Sequence, residues 1–216
     1  MILHAFLSRI NTAHPWSHND AFTRFVVRNA RAVRRGGGHV AVDVGCGTGN
    51  MLARLASVFG SAIGIEPDLD TAAIATRRFI DSKVQIDARK FGDEASDAYD
   101  LILFVASLHH MDLRSSLIEV RGSLRPGGRL VVVGIARETP IDVVHSAVSS
   151  LLNPIVGLLR HPTRATRPPQ HMRAPIAEPI LSFDEIRSIA RSILPGIQMR
   201  RRLFWRYTAV WVAPAS

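Results

Sequence analysis

Two carboxylates and three glycines near the start of the chain are spaced for chemistry. Residues 40–50 read Val-Ala-Val-Asp-Val-Gly-Cys-Gly-Thr-Gly-Asn, an apolar run that passes through Asp43 into a Gly-x-Gly-x-Gly turn. Seventeen residues beyond Gly49, a second apolar run, Ala62-Ile63-Gly64-Ile65, ends on Glu66. Glycines in a turn let a ligand approach the backbone, and an acid closing the next strand can accept hydrogen bonds from two ribose hydroxyls. The unit reads as a site for a nucleoside cofactor. A dinucleotide fingerprint needs glycine at the sixth position of the turn, which here is Asn50; the third glycine falls one place early, at Gly49. A ligand without a pyrophosphate, carrying an amino-acid end, asks instead for backbone groups and a carboxylate such as Asp43 near its ammonium. A glycine turn in an unrelated α/β domain is the competing reading, and the register of Asp43, the glycines and Glu66 argues against it.

Histidines supply the other candidate chemistry. His109 and His110 follow the buried-type run Tyr99 to Val105, which puts them at the carboxyl edge of a sheet, where open α/β folds bind substrates. Histidine's ordinary pKa suits proton transfer at neutral pH. Packing or capping ahead of a helix starting near Asp112 competes with that role. His18, in Trp-Ser-His-Asn, is a second candidate base, against a helix-capping role for Ser17 to Asp20. Cys46 is the only cysteine, so no internal disulfide forms and a reducing compartment is favoured. No histidine stands near it in sequence, and it reads as a small side chain that fits the turn. No metal ligand set is assigned.

The elements that must position these groups alternate along the chain. Asp20 to Arg35 carries apolar residues at helical spacing and ends at Gly36-Gly37-Gly38. Strands are expected at 39–44, 61–66, 83–87, 99–105 and 129–134. Helices are expected at about 48–58, from an Asp68 cap to Arg78, and at 113–124. Five β–α repeats with short connections give an α/β fold with a parallel, doubly wound sheet. The end differs: a helix from Phe183 to Ile193, a Pro195-Gly196 turn, and two strands at about 197–203 and 206–212 that read as an antiparallel edge hairpin. One domain is expected over 1–216, with an N-terminal helical cover (1–38), a cofactor-binding core (39–134), an insertion (137–180) and a last helix with the hairpin (181–216).

At 216 residues with 47% hydrophobic content the chain can bury a sizeable core. The net charge is +9, and 25 of the 27 basic residues are arginine, clustered at 24–35, 160–173 and 200–206. Neither interleaved aromatics nor a nucleic-acid module accompanies them, so solvated faces are preferred to phosphate contacts. The N-terminus fits a signal peptide poorly, and the apolar stretches elsewhere read as well short of a membrane span. A cytoplasmic protein without integral membrane association is expected.

The turn at 43–49 and the acid Glu66 resemble motif I and the second-strand acid of the class I S-adenosylmethionine-dependent methyltransferases. Tyr-Asp-Leu-Ile-Leu-Phe-Val-Ala-Ser-Leu-His-His-Met (99–111) and Leu-Arg-Pro-Gly-Gly-Arg-Leu-Val-Val-Val (124–133) are similar to motif IV and the loop into strand five of type 11 small-molecule members. The similarity covers about 40–134, and is weaker at 203–211 and 15–19. It implies a Rossmann-like seven-stranded sheet, mostly parallel, in the order 3-2-1-4-5-7-6. It also implies S-adenosyl-L-methionine as cofactor, with S-adenosyl-L-homocysteine as product, and methyl transfer by in-line displacement at a sulfonium. By the same resemblance Gly45, Cys46, Gly47 and Gly49 face the methionine and ribose part, Asp43 lies near the ammonium, and Glu66 holds the ribose. Pro67 lies beside the adenine, Asp87 meets its amino group with Ala88 beside it (a helix cap or surface acid being the competing role for Asp87), and Val105, Ala106 and Ser107 line the methionine end.

In sugar O-methyltransferases with a similar Leu-His-His-Met stretch the first histidine is the base, which points to His109, with His110 beside it. The Asp that assists there, just after strand five, is absent from Gly134-Ile135-Ala136-Arg137-Glu138. The expected acceptor is an oxygen, nitrogen or carbon of a small hydrophobic molecule. An RNA or protein methyltransferase and an inactive cofactor-binding protein are the alternatives. Against the former, strand four ends Val-Ala-Ser-Leu and not in the base-methylating Asn/Asp-Pro-Pro-Tyr signature. Residues 137–180 should decide the substrate: the apolar stretch 141–159 can roof a pocket, form a homodimer face or touch a membrane surface, and a roof with a lid, lined by Met172 or Trp205, is favoured.

Overall fold

Seven strands build the sheet that carries the site in the computed structural model, which describes residues 16–160 and 178–215. They are β1 (Ala41–Val44), β2 (Ala62–Ile65), β3 (Val84–Asp87), β4 (Tyr99–Val105), β5 (Leu124–Gly134), β6 (Gln198–Arg202) and β7 (Arg206–Val212). Their order is β3-β2-β1-β4-β5-β7-β6. Pairing is parallel from β3 through β5 and antiparallel for β7 and β6, so the doubly wound sheet and its edge hairpin are present in the expected order. The central register sets Val42 against Ile63 on one side and Ile102 on the other.

Strand alternation divides the core in two. Val42, Val44, Ile102, Phe104, Leu130 and Val132 point to one face. Ala41, Leu101, Leu103, Val131 and Val133 point to the other. Both faces are covered by helices, which is why these strands read as continuous apolar runs in the sequence. The second face packs on α1 (Thr23–Arg35) and α2 (Asn50–Phe59) through Val26, Ala30, Leu52 and Leu55. α3 (Leu69–Arg78) follows β2 and starts where the Asp68 carboxylate accepts a bond from the Thr71 N–H at 2.9 Å, as the cap expectation has it. The first face packs on α4 (Leu113–Ser123), which has the same kind of cap at Asp112.

The insertion is helical. α5 (Val143–Arg160) runs eighteen residues through Pro154, and α6 (Phe183–Ile193) then begins on a Ser182–Glu185 capping box. Pro140–Leu159 is the one helical stretch among the described residues long and apolar enough, by length and composition, to cross a membrane. That corrects the expectation that every apolar run falls short of such a length. His145, Asn153 and Pro154 break the run in the sequence and hide the length of the segment. β5 also starts five residues earlier than expected, because Arg125-Pro126-Gly127-Gly128 continues it: Leu124 pairs with Tyr99, and Gly128 O accepts from Ala213 N at 2.9 Å. Of the proposed cover and lid, 1–15 and 161–177, with Met172, lie outside the described residues.

Candidate active site

The sheet order reverses between β1 and β4. From β1 the chain builds outward to β2 and β3, then returns to lay β4 on the other side of β1. The two sets of loops diverge at the carboxyl ends of these strands and leave a crevice there, the place where open α/β sheets bind ligands. A cleft of about 360 Å³ opens at this point, floored by Asp43, the glycine turn, Glu66 and Ser107.

Backbone bonds fix the turn. The N–H groups of Gly45 and Cys46 both donate to the Ile65 carbonyl, at 2.8 and 3.1 Å, which ties the loop after β1 to the end of β2. A Cβ on Gly45 would lie 2.4 Å from the Ser107 Cβ, so glycine is required where the loops of β1 and β4 touch. Gly47 has φ +56° and open space beyond it, leaving its backbone accessible from the cleft. Ser107 locks the β4 side by donating to the Val44 carbonyl at 2.5 Å. Ala106, between Ser107 and the strand, holds the left-handed region at φ 54°, a conformation that costs a non-glycine residue about 1–3 kcal/mol and concentrates at ligand sites.

The two acids are held differently. Glu66 accepts from Gly47 N–H at 2.9 Å through Oε2 and from Asp68 N–H at 3.0 Å through Oε1. Each oxygen keeps a lone pair for a further donor, so the carboxylate is preset to receive two hydroxyls. Asp43 is fully buried, and its Oδ1 has no hydrogen-bond partner among the described residues. Burial, with the Glu66 carboxylate close by, pushes the Asp43 carboxyl up to about 7. An orphaned buried carboxylate oxygen, a preset carboxylate and exposed glycine backbone fit a ligand with a ribose and a cationic amino-acid end. Cys46 is buried beside both acids. Burial and those two charges push its thiol far above the ordinary range, so it stays protonated and is no nucleophile.

The N-terminal segment and the β4 loop form the rim. Ser17, Asn19 and Asp20 reach the cleft from a short 3-10 turn, His18–Phe22. That turn is fastened from behind. Trp16 Nε1 donates to Asn153 Oδ1 on α5 at 2.8 Å, and His18 Nε2 lies 3.0 Å from the same oxygen. Arg206 Nε donates to Asn19 Oδ1 at 3.0 Å. His18 stacks among Trp16, Phe204 and Trp205. Burial, with the Arg206 charge nearby, lowers its pKa below the histidine norm and keeps it neutral at pH 7.

The expected site residues therefore divide. Asp43, Gly45, Cys46, Gly47, Glu66, Pro67, Val105, Ala106 and Ser107 come together on the cleft, and His110 joins them with Met111. His109 stacks on His110 with ring centroids 4.0 Å apart but lines a neighbouring pocket of about 450 Å³ with Leu108, Ile135, Ile180 and Tyr207. His18 and Gly49 sit outside the cleft wall; Gly49 caps α2 beneath the Phe79 ring. Asp87 and Ala88 also lie off that wall. The Asp87 carboxylate accepts from Gln85 Nε2 at 2.7 Å and faces Arg89 Nε at 3.6 Å. Sequence reasoning missed Asn19, Asp20, Thr71 and Met111, which approach only through the fold. The Pro-Trp-Ser-His-Asn stretch was the available signal for Asn19.

Comparison with known proteins agrees with the geometry. The model of a family described as a methyltransferase domain matches residues 42–132. An uncharacterised methyltransferase of Mycobacterium bovis is 29% identical over 82% of this chain and 89% of its own length. A ubiquinone biosynthesis O-methyltransferase of Bradyrhizobium diazoefficiens is 30% identical over 61% of this chain and 53% of its length. Among solved structures, a methyltransferase of Methanosarcina mazei described as S-adenosylmethionine-dependent superposes with a TM-score of 0.56 at 14% identity, over 82% of this chain and 93% of that one. Turn, sheet order and the match over residues 42–132 agree: the fold is that of the S-adenosylmethionine-dependent methyltransferases, and the cleft fits the ribose and amino-acid end of that cofactor.

Proposed function

We propose that the chain methylates a small, hydrophobic acceptor, with His110 as the side chain that meets the reacting atom. One observation carries this reading: Met111, next to His110 on the cofactor cleft, also lines the apolar pocket of about 450 Å³. An acceptor can lay its apolar body against Leu108, Ile135 and Ile180 and turn its reacting atom toward the cleft. The name of the Bradyrhizobium relative, an O-methyltransferase of ubiquinone biosynthesis, supports an oxygen on an apolar molecule.

The bound cofactor supplies an activated methyl on a sulfonium. In this reading Glu66 orients the ribose, Asp43 holds the ammonium, and Val105 and Ser107 exclude water from the methionine end. His110 takes the proton from a hydroxyl acceptor as the methyl is transferred, while His109 packs against it from the pocket side.

Transfer of labelled methyl to a panel of phenols and catechols, followed by organic extraction, tests the proposal. His110→Ala is expected to lower kcat about 10²–10⁴-fold on a hydroxyl acceptor with cofactor affinity unchanged. Unchanged kcat in that variant, with a loss of activity in His109→Ala instead, overturns the assignment. Methyl transfer to RNA or protein but to none of the small acceptors overturns the substrate class.

A further inference from the structure

α5 is seated in reverse for a helix exposed to water. Its buried positions include Ser149, Asn153, Pro154 and Gly157. Ser149 Oγ donates to the His145 carbonyl and accepts from Phe204 N–H at 2.8 Å, while Asn153 holds Trp16 and His18. The opposite face carries Val144, Val148, Leu151, Ile155 and Leu158, at steps of four, three, four and three residues. Their exposures run from 38% at Val148 to 71% at Val144, and Ile141, Val143 and Leu159 extend the stripe at both ends. A surface helix ordinarily turns such a stripe to the core and its serines outward. At 1.5 Å per residue the stripe runs about 21 Å from Val144 to Leu158, a contiguous patch of the kind that marks an interaction surface.

We propose that this stripe docks on an anionic lipid surface, with α5 lying in the plane of the interface. Charge selects the occupant. No Asp or Glu occurs from Val143 to Ala177, while Arg160, Arg164, Arg167 and Arg173 follow the stripe in sequence. An apolar face followed in sequence by arginines, its one acid, Asp142, already paired with Arg201, matches the acyl boundary and headgroups of an anionic leaflet. A second copy of the chain would bring the same basic segment and another net charge of +9 against it, which opposes self-association. Spanning is disfavoured because Ser149 and Asn153 spend their hydrogen bonds on the domain, which keeps one side of the helix against protein. Docking has a consequence for the cleft. Asn153 fastens the turn whose Ser17, Asn19 and Asp20 form the rim, so a docked α5 sets that rim near the lipid surface.

Cosedimentation of the full chain with vesicles tests this independently of any acceptor. The protein is expected to pellet with mixed phosphatidylcholine–phosphatidylglycerol vesicles and to stay in solution with phosphatidylcholine alone. Leu151→Gln with Ile155→Gln keeps the charge and the helix propensity, and should weaken partitioning about tenfold or more. Its cofactor affinity and melting temperature should match the wild type, since both side chains face outward. Three results overturn the proposal: no pelleting of the wild type with anionic vesicles, equal pelleting of the double variant, or a wild-type dimer in light scattering that the two substitutions dissolve. Loss of methyl transfer without loss of pelleting would fall on the acceptor assignment instead.

Discussion

Asp43 and Glu66 show how one site uses two carboxylates for different ends. Glu66 receives a backbone N–H on each oxygen, so removing it loses the ribose acceptors and leaves the Gly47 and Asp68 donors without partners. Calorimetry should find S-adenosylmethionine affinity reduced about 10–100-fold in Glu66→Ala, the worth of a pair of bonds to a charged group. Glu66→Gln should lose nearly as much, because its amide NH₂ would meet one of those N–H donors. Unchanged affinity in Glu66→Ala would refute the ribose assignment. Asp43 is costly without a ligand. Its folded pKa, about 7, is above the ordinary carboxylate value, so between about pH 4 and pH 7 the folded state binds more protons than the unfolded chain and stability falls as pH rises. A cation beside the ionised form reverses that cost. Cofactor affinity should therefore rise with pH, on the order of tenfold between pH 5.5 and 7, as the carboxyl of pKa about 7 ionises. Asp43→Asn should flatten the profile, weaken binding, and raise the melting temperature of the ligand-free protein at pH 8. A steep profile surviving in Asp43→Asn would assign the titration to another group.

At the scale of elements, the rim depends on a residue that never reaches the cleft. Asn153 on α5 ties down Trp16 and His18, and the same short turn presents Asn19 to Arg206. Burial lowers Arg206 to about 10, still cationic at neutral pH, so this second tie persists. Asn153→Ala removes the shorter of two indole N–H bonds, leaving the 3.2 Å one to the residue 153 carbonyl, and takes the partner of His18 Nε2; it should cost about 1 kcal/mol and weaken cofactor binding several-fold as the rim loosens. Calorimetry and thermal melts on one preparation check both effects; loss of stability with unchanged affinity would detach the turn from the cofactor. This clamp was not legible in the sequence, where Trp16 and Asn153 stand 137 residues apart. The stretch containing Asn153 read as a roof because its leucines and valines were assumed to face inward. What reversed α5 was the placement of Ser149 and Asn153, two polar residues whose partners lie on other elements. The strands were legible for the opposite reason. Their burial on both faces is written into consecutive residues such as Leu101 to Phe104, and glycine ends the first of them.

For the whole molecule, the strand order turns these local signals into a site. Motif I and Glu66 could be placed from sequence because their loops leave adjacent strands β1 and β2, and the sheet needs only its first crossover to join them. The resemblance pointed to His109 as the base, but both histidines leave β4, and the packing of α4 and α6 puts His110 on the cleft and His109 in the neighbouring pocket. The same architecture makes a prediction about stability. β4 divides the core, with Phe104 in one layer and Leu103 in the other, and both are fully buried. Phe104→Ala and Leu103→Ala should each cost about 3–5 kcal/mol, and because one sheet underlies both layers, unfolding should stay a single transition. Ligand binding adds to that common stability. S-adenosylmethionine at one hundred times its dissociation constant contributes about 2.7 kcal/mol, a rise in Tm of about 5–10 °C for a chain of this size. A thermal shift series checks this. S-adenosylmethionine and S-adenosylhomocysteine should raise Tm in the wild type and by nearly the same amount in the two core variants, whereas NAD should leave all three unmoved, since Asn50 stands where a pyrophosphate needs glycine. A comparable rise with NAD would contradict the reading of the turn, and a rise confined to the wild type would mean that the cleft depends on packing well beyond its own loops.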